Sequence, residues 1–238
     1  MIVGWRAGMT FGLAACLCSG TAASGLPMVG DKRVVQPGAF PASGQVRCAG
    51  GTGAAQLVGS QRVIVTAGHV LIGRGGPGSS CSVTFRAKGG MLTVPIDMSS
   101  LRAGSSNPLA EPARQDWAVA RLDRPVTGVR PFATASAAAG QQVTLVSGRT
   151  VSGRGGPTIE TCRIRGRTPG SGELAIDCSA EAGDSGAALV TVDGRVAAIY
   201  VGFRSTTPGR SAEFSETHYN FALPVGGAIS AAIRELAR

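Results

Sequence analysis

Residues 183–203 read GDSGAALVTVDGRVAAIYVGF. Two apolar runs, Ala187–Val192 and Val196–Phe203, flank the dipeptide Asp193-Gly194. Asp-Gly favours a tight turn between antiparallel strands, so this stretch predicts a β-hairpin. Immediately before it, Ser185 stands between Asp184 and Gly186 in a small-residue turn. Backbone N–H groups in such a turn can converge on one point.

Other short apolar runs extend the pattern. They are Gln56–Thr66 (broken by Gly59-Ser60), Cys81–Arg86, Met91–Ile96, Trp117–Leu122, Gln142–Ser147, Thr161–Arg165 and Glu173–Cys178. Strands at this spacing predict an all-β barrel or sandwich. The end differs: Ile229, Ile233 and Leu236 have helical spacing, which predicts a C-terminal helix within Gly226–Arg238. Gly73–Ser80, Ala103–Pro112 and Gly153–Pro157 read as surface loops. The glycines of Gly73–Ser80 lack the following lysine and helix of a phosphate loop. Arg124–Phe132 reads as a linker between two strand sets.

Composition narrows the classes. Of 238 residues 36 are Gly and 13 Pro, which excludes a coiled coil or a long-helix protein. Apolar residues at 43% suffice for a core, which excludes a disordered chain. No apolar run reaches the ~18 residues of a membrane helix. The net charge of +9 is carried almost wholly by scattered arginines, and aromatics are 5%. Without basic blocks or stacking aromatics, no nucleic-acid role is expected.

The first 23 residues read as an export signal. Arg6 precedes the small, apolar stretch Ala7–Cys18, and Thr21-Ala22-Ala23 suits cleavage. Leu13-Ala14-Ala15-Cys16 is similar to a lipobox, so an anchor at Cys16 is the alternative to a secreted or periplasmic protein. Once the signal is cut, no stable membrane insertion is expected. Cys48, Cys81, Cys162 and Cys178 then form an even set in an oxidising compartment. Four cysteines allow three connectivities. Cys48–Cys81 and Cys162–Cys178 are favoured, because each pair falls within one half of the chain. No metal site is expected: these cysteines form no Cys-x-x-Cys, and only His69 and His218 could assist.

Three short motifs carry chemistry. Val63–Val70 (VIVTAGHV) ends a buried strand in small residues and presents His69. Asp116–Leu122 (DWAVARL) places an aspartate immediately before an apolar strand. Gly183-Asp184-Ser185-Gly186 is the serine turn. In the order His, Asp, Ser, these segments resemble those of the chymotrypsin-like (trypsin-like) serine peptidases. The likeness runs from about Val34 to the C-terminus and includes Arg121–Val126 and Phe221–Pro224. The short interval from Asp116 to Ser185, and a cysteine pattern unlike that of the animal enzymes, favour the bacterial secreted branch.

The resemblance implies two six-stranded antiparallel β-barrels with a short C-terminal helix. The N-terminal barrel would occupy residues 24–126 and the C-terminal one 127–238. His69, Asp116 and Ser185 would be catalytic, and the N–H groups of Gly183 and Ser185 would form an oxyanion hole. Ser179, Tyr200, Val201 and Gly202 would bind substrate. Ser179 would lie at the base of the specificity pocket, which thus lacks the aspartate that selects Lys or Arg. Tyr200 stands where glutamyl endopeptidases carry a histidine, which argues against Glu; an apolar or small side chain before the cut is expected. The implied enzyme needs no cofactor, acts on polypeptides and is a monomer. In activated relatives the aspartate of this turn pairs with a newly cut N-terminus. Cutting after Arg33 is one route to that state here, and internal hydrogen bonds to Asp184 are the other. His218 is expected to be structural.

Two other functions compete. An α/β-hydrolase elbow needs glycine where Ala187 stands, and its order is Ser, Asp, His. A secreted protease-like binding protein without turnover would usually lack a triad residue, and all three are present.

Overall fold

The computed structural model describes residues 32–36, 38–48, 51–87, 89–148, 157–208, 210 and 212–238. The expected signal at 1–23, the alternative anchor Cys16 and residues 153–156 of one expected loop lie outside them. In chain order the strands are β1 (Arg33–Val34), β2 (Ser43–Cys48), β3 (Gly51–Leu57), β4 (Val63–Thr66), β5 (Ile72–Gly73), β6 (Gly76–Pro77), β7 (Ser82–Ala87), β8 (Gly90–Ala103), β9 (Ala118–Leu122), β10 (Gln142–Ser147), β11 (Thr158–Arg167), β12 (Leu174–Ile176), β13 (Ala188–Thr191), β14 (Val196–Ser205) and β15 (His218–Pro224). Helix α1 is the single turn Gly68–Leu71, and α2 is Gly227–Leu236.

Two six-stranded antiparallel barrels result. The first closes in the order β2-β3-β4-β9-β8-β7. The second runs β11-β10-β13-β14-β15-β12 and closes through the β11–β12 pairing. β1 adds to the second barrel's edge, with Arg33 opposite Ile159 and Val34 opposite Thr158. The first barrel is filled by side chains such as Val46, Leu57, Ile64, Val83, Phe85 and Leu122, all fully buried. Val143, Leu145, Ile164, Leu174, Ile176 and Leu189 form a separate apolar core in the second.

The hairpin read from Asp193-Gly194 is present as β13 and β14, with Gly194 at φ +80°. β2 and β15 extend the expected strand set. β2 (SGQVRC) mixes polar and small residues, and β15 (HYNFALP) carries His218 and Asn220 inside a buried run. β15 does alternate, Tyr219, Phe221 and Leu223 against Asn220, but its polar His218 and Asn220 and its closing Pro224 mask the run; β2 has a single large aliphatic residue, Val46, among small and polar ones. α2 buries Ile229, Ala232, Ile233 and Leu236 against the first barrel's β4 and β9. Arg121 of β9 donates to the Leu236 carbonyl at 2.8 Å. The helix thus ties the chain's end back to the first barrel.

Each barrel holds one disulfide, Cys48–Cys81 in the first and Cys162–Cys178 in the second. His218 is buried, with Nδ1 3.0 Å from the Ser205 hydroxyl.

Candidate active site

His69 leaves β4 on the one-turn helix α1, where the chain reverses through Ala67-Gly68. The small residues have a steric purpose. A Cβ on Gly68 would lie 3.0 Å from Asp116 Oδ1 and 3.1 Å from the Trp117 nitrogen. Without that Cβ, Asp116 closes onto the His69 segment with both carboxylate oxygens. Oδ1 accepts the His69 backbone N–H at 2.7 Å, and Oδ2 lies 2.7 Å from Nδ1. A carboxylate can only accept, so Nδ1 carries the proton and Nε2 keeps a lone pair. That Nε2 lies 2.8 Å from Ser185 Oγ.

The neighbouring aspartates that could compete for this place are engaged elsewhere or exposed. Asp97 accepts from Ser99 N–H at 3.0 Å and from its hydroxyl, and the Ser99 hydroxyl bond holds its carboxyl below the usual value. Asp177 accepts from Arg163 N–H and from Arg165 Nε, each at 2.6 Å. Asp123 is exposed.

Ser185 comes from the second barrel and is clamped to the first. Its carbonyl accepts Ala54 N–H at 2.7 Å, and Gln56 Nε2 donates to the Gly186 carbonyl at 2.8 Å. Gly186 sits at φ +85°, and a Cβ there would lie 2.0 Å from the Ala54 carbonyl oxygen. Only glycine fits where the barrels meet behind the serine. Asp184 N–H bonds to the Glu181 carbonyl at 3.0 Å, and Ala187 N–H to the Asp184 carbonyl at 2.7 Å. Among the described residues, the N–H groups of Gly183 and Ser185 have no backbone acceptor.

Asp184 is fully buried. Its Oδ1 accepts the Ser147 hydroxyl at 2.6 Å, and Oδ2 accepts Glu181 N–H at 2.9 Å and the Lys32 ammonium at 2.8 Å. It is therefore held by internal partners.

A cleft of about 440 Å³ opens beside His69, Asp116 and Ser185. Leu109, Val201, Gly202, Phe203 and Phe221 give it apolar walls, and Glu111 and Arg204 also line it. A β-bulge between Tyr200 and Gly202 turns β14 at this wall. Two of the four residues expected to bind substrate, Val201 and Gly202, line the cleft. Ser179 and Tyr200 are buried behind it instead. Tyr200 donates its hydroxyl to Asn220 Oδ1 at 3.2 Å, and Asn220 donates to the Cys178 carbonyl at 2.7 Å. Ser179 N–H bonds to Glu160 Oε2 at 2.7 Å. Lys32, Ser147, Glu160, Phe203, Asn220 and Phe221 carry no sequence signal that marks them as site residues. Only Phe221 stands in a segment that shares the family resemblance, Phe221–Pro224.

The trypsin-like peptidase domain model matches residues 51–199. The chain belongs to the trypsin-like peptidase family. As a member it is a serine-type endopeptidase. A Glu endopeptidase solved in complex with MPD is similar in fold, with TM-score 0.68 and 13% identity over 90% of this chain and 100% of that one. The protease Anisep from Arthrobacter nicotinovorans gives 0.63 and 16%, covering 87% and 99%. The serine endoprotease from Yersinia pestis gives 0.57 and 19%, covering 83% of this chain and 63% of that one. No curated protein matches the sequence at a significant level.

Proposed function

We propose that this peptidase is exported and cuts polypeptides through a Ser185–His69–Asp116 triad and an acyl-enzyme intermediate. The carrying observation is the continuous chain of contacts, 2.8 Å from Ser185 Oγ to Nε2 and 2.7 Å from Nδ1 to Asp116. A serine hydroxyl is a weak nucleophile until a base takes its proton. His69 Nε2 accepts that proton as Oγ attacks the peptide carbonyl carbon. Asp116 fixes the tautomer and stabilises the imidazolium that forms. The carbonyl oxygen, now an anion, accepts from the N–H groups of Gly183 and Ser185. Collapse breaks the C–N bond, and Nε2–H protonates the leaving amine. A water then repeats the sequence on the acyl-enzyme and releases the acid. Export is supported by the two disulfides, which an oxidising compartment sustains.

The cleft favours an apolar side chain before the cut. Its apolar lining is Leu109, Val201, Phe203 and Phe221; of the charged residues beside them, Arg204 is paired with Glu173 at 3.3 Å. A Lys or Arg would lose hydration there, and the Asp184 and Glu160 carboxyls, buried and already bonded, do not line the cleft. The name of one structural neighbour raises glutamate as the alternative. A glutamate would likewise lose the hydration of its charge against these apolar walls. Matched peptides differing only at this residue should give the highest kcat/KM with Leu, Phe or Ala. Arg or Glu ahead of Leu and Phe by more than tenfold would reject this preference.

A fluorophosphonate probe tests the reaction itself. Wild-type protein should label and cleave, and Ser185→Ala should do neither while keeping its fold. Labelling or turnover that persists in clean Ser185→Ala protein overturns the assignment.

A further inference from the structure

The pair between Lys32 and Asp184 crosses 152 residues of sequence and joins the first described residue to the one before the nucleophile. Asp184 is fully buried, so its charge needs a partner that water cannot supply. The Lys32 side chain is itself only 16% exposed. It touches Glu181 as well, at 3.5 Å, and so meets both ends of the 181–184 turn. Among the 23 basic residues only Lys32 and Lys88 are lysines. A compact ammonium suits a carboxylate oxygen already shared with the Glu181 N–H; a planar guanidinium needs a broader, two-point acceptor.

We infer that Lys32 is a positioning residue: its ammonium is the built-in counter-ion of Asp184 and holds the 181–185 turn with the Gly183 and Ser185 N–H groups facing the cleft. This rests on the peptidase reading above. The geometry is direct. With Lys32 in place, Asp184 is fixed from three sides, by Ser147, by Glu181 N–H and by the ammonium. The two N–H groups that flank Asp184 in the chain then have no freedom to rotate away. Without the ammonium, the buried carboxylate would turn outward for water and carry the peptide groups with it.

Lys32 also bears on processing. It precedes Arg33, so a cut between Arg33 and Val34 would remove the counter-ion together with everything before it. Val34 is meanwhile paired in β1 opposite Thr158. The active form must therefore retain Lys32, and its N-terminus lies at or before that residue. A cut after Arg33 inactivates the enzyme and does not activate it.

The test uses the protein as its host exports it and two variants, Lys32→Met and Arg33→Gln. Each is assayed for kcat and KM on one peptide, affinity for a peptide aldehyde, fluorophosphonate labelling and Tm. An aldehyde forms a tetrahedral adduct whose oxygen needs the oxyanion donors, whereas ground-state substrate does not. Lys32→Met should lose about 10²-fold in kcat and in aldehyde affinity, the scale of one lost oxyanion donor, with KM within about threefold. Arg33→Gln should match wild type, and Edman sequencing of active wild type should read a start at or before Lys32. A merely structural lysine would lower Tm without splitting kcat from KM. A folded Lys32→Met with wild-type kcat overturns the inference, as does an inactive Arg33→Gln paired with a wild type that begins at Val34. Should Lys32→Met fail to fold, Lys32→Gln keeps a polar side chain without the charge; folded and with wild-type kcat, that protein also overturns it. Wild type that neither labels nor cleaves overturns the peptidase reading itself, which separates the two failures.

Discussion

The two barrels share a strand plan and differ in what they bury. The first is filled by apolar side chains, and among the described residues its buried polar ones are few: Ser43, Gln56, Thr66, Ser100 and Asp116. Among the described residues the second buries Ser147, Thr158, Glu160, Glu173, Ser179, Asp184, Ser185, Thr191, His218 and Asn220. The proposed mechanism accounts for the contrast. In it the first barrel delivers two side chains, His69 and Asp116, and a dry, rigid frame is enough for that. The second would shape a loop of backbone N–H groups and a pocket wall. Backbone cannot be packed into place by methyl groups alone, so hydrogen bonds and a buried ion pair hold it. On this division, damage in the first barrel's site should strike proton transfer, and damage in the second should strike donor geometry.

Asp116→Asn gives the sharpest break. The carboxamide can present N–H where Oδ2 now accepts, which favours the wrong imidazole tautomer. Turnover should fall about 10⁴-fold, the general scale for that change in a Ser-His-Asp triad, with KM and fold little altered. Steady-state kinetics on a purified variant checks it. A loss of tenfold or less would show that Asp116 does not set the His69 tautomer.

Disulfide removal compares the barrels as structures. The Cys48–Cys81 bridge closes 33 residues and Cys162–Cys178 closes 16. Loop entropy alone assigns about 3–4 kcal/mol to each, the longer loop slightly more. The neighbourhoods reverse the functional order. The Cys178 carbonyl accepts from Asn220, which also meets Tyr200 behind the cleft wall. Cys162→Ser with Cys178→Ser should thus shift substrate preference as well as Tm. Cys48→Ser with Cys81→Ser should lower Tm and leave preference alone. Urea melts and a peptide series on both double variants decide it, and equal effects on preference would erase the distinction between barrels.

Much of the first barrel is legible in the sequence because its signals are local. VIVT followed by small residues and a histidine, and an aspartate before an apolar run, each sit inside eight residues. Closure of Asp116 onto the His69 segment follows from the absence of a Cβ at Gly68. The serine turn and its hairpin are equally local. The second barrel's polar network is not. Lys32 and Asp184 are 152 residues apart, and Gln56 reaches Gly186 across 130. A lone lysine carries no pattern that distinguishes it from surface charge. The inward place of Tyr200 is hidden from the sequence for a related reason. The bulge between Tyr200 and Gly202 resets which side chains face the cleft, and no residue type announces a bulge. Tyr200 therefore turns inward, and Phe221 from the neighbouring strand takes part in the wall.

The smallest expected effect concerns that inward tyrosine. Both tyrosines of the chain, Tyr200 and Tyr219, belong to the second barrel. Burial first, and then the negative charge of Asp184, push the Tyr200 hydroxyl well above the ordinary 10.0. In the unfolded chain the same hydroxyl ionises near its ordinary value, about 10. Between those two values the unfolded state has lost a proton that the folded state keeps, so stability falls as pH rises. The contribution is whole below about pH 10 and is lost as pH climbs toward the folded value, at most about 1.4 kcal/mol per pH unit. Tyr200→Phe removes the hydroxyl and with it this loss. At about pH 8 the variant should be less stable by about 0.5–1.5 kcal/mol, the value of the bond to Asn220. From about pH 10 to about pH 11 that gap should close and then reverse. Urea midpoints for both proteins across this alkaline range measure it directly, and the difference isolates one hydroxyl from every other alkaline titration. A gap that stays constant with pH would mean that the Tyr200 hydroxyl meets water, and that the second barrel's wall is not the dry, bonded layer that sets it apart from the first.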